Sequence, residues 1–129
     1  MDRNIMATGA FLLALTIAIG AFGAHGLKQL ISGSSLETFE TGVRYMMYHG
    51  FGILILGIVP GLSSKTRKAV FWLFIVGILL FSGSIFLLSL NSVLPFDAGT
   101  IGFITPVGGL LFIIGWVLLG YGIIKLSKQ

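Results

Sequence analysis

The sequence contains no cysteine and only four acidic residues in 129. Without cysteine there are no disulfides, no thiolate nucleophile and no sulfur-ligated metal, and the redox compartment is left open. Charged residues make up 9% of the chain, too few to coat a water-soluble domain. The formal charge of +4 does not make a nucleic-acid binder, because no soluble surface is present to carry a basic patch. What fills the chain is apolar: 56% of residues are hydrophobic and the mean hydropathy is +1.05. The solvent for most of such a chain is lipid, and its length leaves room for about four spans of roughly 20 residues each.

Four apolar runs stand out, at about 5–27, 46–62, 69–90 and 101–126, and none contains Lys, Arg, Asp or Glu before its last residues. Each reads as a transmembrane helix, since barrel strands are shorter and alternate polar with apolar residues. The first run follows Arg3 as a signal peptide would. Its long apolar core and unbroken continuation into His25 and Gly26 weigh against cleavage. The fold class expected is an all-α integral membrane protein: one domain over 1–129, a four-transmembrane-helix bundle. A short amphipathic interfacial helix is expected before the second span, running on into it. In "GSSLETFETGVRYMM", Ser34 or Ser35 can cap, Glu37 follows as a capping box wants, and Leu36, Phe39, Val43 and Met46 recur at helical spacing.

Orientation follows from the basic residues flanking the spans. Arg3, Lys65, Arg67, Lys68, Lys125 and Lys128 fall on one side of a four-span chain, and only Lys28 and Arg44 on the other. Both termini are therefore expected in the cytoplasm.

That orientation gathers polar side chains at the outer ends of the spans. "FETGVRYMMYHG" alone holds Glu40, Arg44, Tyr48 and His49; His25 ends the first run, Ser82 lies in the third and Thr105 opens the fourth. Glu40, Arg44 and Tyr48 follow one i, i+4 stripe, and Tyr45, His49 and Gly52 the adjacent one. Polar groups in lipid turn toward the bundle interior or one another. Two readings stand: a ligand-binding cluster formed by these residues, or a Glu–Arg pair with tyrosines anchoring helices at the interface. For His25 and His49 the plainer role is a hydrogen bond between helices. No metal site is expected, because no HxxxH or ExxH spacing occurs. Small residues form a second pattern: Gly20 and Gly23 with Ala14 and Ala18 in the first run, and Gly108, Gly115 and Gly122 at sevens in the fourth. Such faces let helix backbones approach closely.

"GAFGAHGL", "YMMYHG", "LFSGSIFLL" and "ITPVGGLLFIIGW" together resemble domain-of-unknown-function family 423, the UPF0382 family, which includes animal transmembrane-protein-256-like members. The resemblance runs from about Gly9 to Leu119 in the family's order; the loop "NSVLPFDAGT" is longer than that pattern. It implies a four-helix protein of the bacterial plasma membrane and supplies no catalytic mechanism. The leading expectation is a non-enzymatic membrane protein, without cofactor, whose outer-leaflet cluster binds a lipid-like amphiphile or a partner membrane protein, a second copy among the candidates. A small oligomeric transporter or channel is the alternative, against which the inner halves of the spans lack ionisable side chains. A membrane enzyme using His25, His49 or Glu40 as acid or base comes third, for want of a nucleophile beside a base.

Overall fold

Among the described residues four helices follow one another along the chain, the first three each started by a side chain just before it. Asp2 begins α1 (Arg3–His25) by accepting from the amides of Asn4 and Ile5, both at 3.1 Å. Ser32 begins α2 (Gly33–Ile58) and Ser63 begins α3 (Ser64–Ser89), each accepting from the amide three residues on. The last helix, α4 (Ile104–Ile124), carries Pro106 in its first turn, where a missing N–H leaves no bond unmade, and it continues without a break. This computed structural model describes residues 1–126; Lys128, counted above among the basic residues, lies outside them.

One expectation changes at α2. The cap is Ser32, not Ser34 or Ser35, because Gly33, Ser34 and Ser35 form the first helical turn. The amphipathic segment runs on into the apolar run at 46–62, as expected, in one continuous 26-residue helix. The drop in charge after Arg44 changes the surroundings of the helix without interrupting its backbone hydrogen bonds.

The helices pack in succession, α1 on α2, α2 on α3 and α3 on α4, each pair antiparallel. One end of the bundle therefore holds the starts of α1 and α3, and the other the starts of α2 and α4. At the first end Asp2 N donates to Gly57 O at 2.8 Å, tying α1 to the end of α2. The turn into α3 uses Gly61 at φ +74°, a conformation that favours glycine. At the other end, a single 3-10 turn at Leu27–Gln29 links α1 to α2. The longer α3–α4 loop holds two more, Asn91–Val93 and Ala98–Ile101, with the Asn91 side chain accepting from Ala98 N.

Backbone proximity holds the layers together. A Cβ on Gly9 of α1 would lie 2.7 Å from Leu54 N and 3.0 Å from Gly50 O of α2. On Gly108 of α4 it would lie 2.5 Å from Phe81 N of α3. At Gly23 it would meet the Phe39 ring, at Gly115 the Phe74 ring, at Gly122 Leu62 and Thr66, and at Gly20 the edge of Val43. Between such contacts Ile53, Leu56, Val70 and Phe74 are wholly buried. The outside is just as apolar: Phe11, Leu79 and Val117 are each at least two-thirds exposed. In lipid there is no hydrophobic force between helices, so close van der Waals packing must supply the association. Three segments are long and apolar enough to cross a membrane: Arg3–Gln29, Ser64–Ser89 and Ala98–Ile124.

Candidate functional site

His49 stands at the centre of the polar chemistry on α2. Its ring is stacked on Phe112 of α4, with centroids 3.5 Å apart, and meets the edge of Phe74 of α3 at 5.2 Å. One ring nitrogen, Nδ1, lies 2.7 Å from the Tyr45 carbonyl, and Nε2 accepts from Trp116 Nε1 at 3.0 Å. A carbonyl can only accept and an indole N–H can only donate. The network therefore assigns the proton to Nδ1 and the lone pair to Nε2. Both nitrogens are occupied within the protein, which leaves His49 neither a lone pair for a metal nor a free base for catalysis. It is a cross-brace between α2 and α4, and the resulting hydrogen bond is worth keeping because His49 is buried.

Beside this brace runs a groove of about 830 Å³ between α2 and α4. Tyr48, Pro106, Leu110, Trp116 and Val117 line it, and all five are exposed along its open side. A separate depression of about 460 Å³ lies nearer the start of α2, formed by Glu37, Glu40, Thr41 and Arg44 with Thr38. Arg44 donates to Thr41 Oγ1 at 3.0 Å. Arg44 of the depression and Tyr48 of the groove lie on one helical stripe, one turn apart.

The expectation of one pocket shared by His25, Glu40, Arg44, Tyr48, His49, Ser82 and Thr105 is corrected by this geometry. Arg44 and His49 are five residues apart, about 140° around the helix, so they face different neighbours. Glu40 and Arg44 share the depression, and Tyr48 and His49 the groove. His25 is exposed at the end of α1 and lines neither. Ser82 donates across helices to Gly42 O at 2.7 Å, and Thr105 shares a 2.5 Å hydrogen bond with Ser84. Both hydroxyls connect helices rather than face a cavity. Among the described residues no three His, Asp or Glu side chains gather as a metal site would need.

Sequence reading missed three parts of this arrangement. Trp116 and Phe112 complete the His49 cage from 67 and 63 residues away, with no local signal to announce them. Arg67, read from the sequence chiefly as a topology signal, reaches back to the Leu56 and Val59 carbonyls and satisfies the end of α2. Gly9, Gly50 and Gly57 bring α1 and α2 together, and their spacing matters only once the two helices are paired.

A helical bundle coated with apolar side chains, with Ser82, Ser84 and His49 bonded across helices inside it, is a small integral membrane protein. A family model described as "Protein of unknown function (DUF423)" matches residues 19–109. The UPF0382 membrane protein of Staphylococcus saprophyticus is 42% identical over 118 residues, 92% of this chain and 94% of that protein. The UPF0382 membrane protein YwdK of Bacillus subtilis is 38% identical, covering 91% and 93%, and a Haemophilus influenzae UPF0382 membrane protein is 37% identical, covering 84% of each. The chain belongs to this UPF0382 family of bacterial membrane proteins. No solved structure matches it.

Proposed function

We propose that this chain is a non-enzymatic plasma-membrane protein with one four-span domain and both termini in the cytoplasm, and that it holds a zwitterionic membrane amphiphile on its outer side. The observation that carries the reading is that Arg44, in the mixed-charge depression, and Tyr48, in the apolar groove, stand one turn apart on the same face of α2. A phosphate-bearing head suits the planar fork of Arg44, which donates in pairs. Glu37 and Glu40, on the same depression, suit an ammonium group and disfavour a purely anionic head. The tail then lies along Leu110, Trp116 and Val117, with the Tyr48 ring at the junction. The fourth span is α2: its 26 residues rise about 39 Å, longer than a hydrocarbon core of roughly 30 Å, so its first residues reach the head groups and the long Arg44 side chain extends toward them.

Native mass spectrometry with dioleoyl phosphatidylethanolamine tests this. Wild type and Lys65→Ala should retain the lipid; Arg44→Ala, which removes the head contact, and Leu110→Trp, which fills the groove, should not. Equal retention by all four proteins, or by none, would leave the tyrosines and Arg44 as interface anchors alone.

A further inference from the structure

At the end of the bundle that carries the starts of α1 and α3 lies a third, open cavity of about 800 Å³, apart from the groove and the depression. Arg3, Arg67 and Lys68 line it, with Asp2, Ser64 and an apolar edge of Ala7 and Leu62. We propose that this cavity is a binding site for the phosphate of an anionic membrane phospholipid.

The charge balance supports it. Three cationic side chains face one carboxylate, and Asp2 Oδ1 is already turned to the amides of Asn4 and Ile5. Arg67 is held in place before any ligand arrives, because its two terminal nitrogens donate to Leu56 O and to Val59 O. Those bonds use two of five N–H donors, so the fixed guanidinium keeps others for an anion. Arg3 and Lys68 are exposed and can close on a phosphate from either side. Two helices begin at this cavity, and their dipoles add to the positive potential. Basic pockets between membrane helices recognise anionic head groups on these terms.

The apolar edge selects a lipid over free phosphate. Ala7 lies one helical turn from Phe11, which is 75% exposed on the outer face of α1. A head group bound by Arg3 and Lys68 can therefore lay its chains along a strip that already faces the bilayer. The site differs from the one at Arg44 in sign as well as place, since no pair of carboxylates balances its cations.

The test compares dioleoyl phosphatidylglycerol with dioleoyl phosphatidylcholine by native mass spectrometry of the full chain. Wild type should bind phosphatidylglycerol more tightly by about fivefold or more, as one juxtamembrane cation alone provides. Arg3→Gln and Lys68→Gln should each lose about fivefold for phosphatidylglycerol and leave phosphatidylcholine unchanged. Lys125→Gln, a cation at the same end but outside the cavity, should behave as wild type. Inorganic phosphate in large excess should leave the lipid bound; displacement would assign the cavity to free phosphate and overturn the lipid. Equal affinity of wild type for the two lipids, or an undiminished preference in both variants, would also overturn it. The wild-type comparison decides even where a variant fails to fold. Phosphatidylethanolamine retention through Arg44 should persist in Arg3→Gln, so failure of one site does not imply failure of the other.

Discussion

Substituting alanine for Gly108 adds a single methyl group where α4 crosses α3. That methyl would lie 2.5 Å from Phe81 N and 2.9 Å from both Leu80 C and Phe81 Cα. Carbon atoms in comfortable contact stand about 3.5–4.0 Å apart, so α4 must retreat by something on the order of 1 Å. Retreat is the only relief, because all three atoms are helix backbone and none can rotate away. Moving α4 also loosens the packing of Gly115 on Phe74 and of Phe112 on Gly77. Overpacking of this kind costs about 1–3 kcal/mol. Alanine gains about 1 kcal/mol over glycine in helix propensity, which masks part of that cost. Gly120→Ala removes the ambiguity: it lies on the same helix, and a Cβ there meets nothing within 4 Å. Propensity cancels between the two variants, leaving a difference of about 1–3 kcal/mol that belongs to packing. Thermal unfolding in one detergent, followed by circular dichroism, should place Gly120→Ala at or above wild type and Gly108→Ala clearly below it. Equal stability of the two variants would refute close backbone contact between α3 and α4.

Three further outcomes follow. Trp116→Phe keeps an aromatic ring near Phe74 but removes the donor to His49 Nε2. A buried acceptor left unpaired should cost about 1–3 kcal/mol in the same unfolding assay, and a wild-type melting curve would show the brace contributes nothing. Arg67→Lys preserves charge while losing the fork that serves two carbonyls at once. It should destabilise by about 1–2 kcal/mol where Lys65→Arg is neutral; a neutral Arg67→Lys would mean the end of α2 does not need this cap. For orientation, Gln29→Cys should react with an impermeant maleimide on intact cells and Ser64→Cys only after permeabilisation. The opposite pattern would invert the protein in its membrane.

The helices were legible because long uncharged runs have few alternatives in lipid. Their starts were less so. Ser32, Ser34 and Ser35 are chemically equivalent caps, and only the placement of the first turn selects Ser32. The α4 glycines share a face by their spacing of seven, which is visible within one segment. The α1–α2 contact needs Gly9 from one helix and Gly50 and Gly57 from another, and no local pattern says which heights will meet. At the site, the stripe from Glu40 through Arg44 to Tyr48 was readable by counting. So was the 140° that separates Arg44 from His49, and it argues against one shared wall. The Trp116 partner was not readable, because an indole 67 residues distant pairs with an imidazole only through the fold.

Polar residues concentrate toward the start of α2 for a reason that the interior makes plain. Inside the bundle each polar group finds a partner of fixed type: Ser82 with Gly42 O, Ser84 with Thr105, His49 with Tyr45 O and Trp116. A group so matched stabilises helix contacts and has little left for a ligand. Charged side chains have no such partner in apolar surroundings, so they collect where the helices leave the lipid. There the two ends diverge. Among the described residues one end holds Arg3, Lys65, Arg67, Lys68 and Lys125 with only Asp2, and the other Lys28 and Arg44 with Glu37, Glu40 and Asp97. An excess of cations attracts anionic head groups, whereas a mixed surface favours heads that carry both signs. Under the orientation and lipid sites proposed above, the same charge asymmetry would give each end a different preference among lipids. Reversing it, with Glu37→Lys and Glu40→Lys together, should draw phosphatidylglycerol to the Arg44 end and weaken phosphatidylethanolamine there, measured by the same mass spectrometry. An unchanged lipid profile in that double variant would show that charge sets orientation alone and has no part in choosing the lipid.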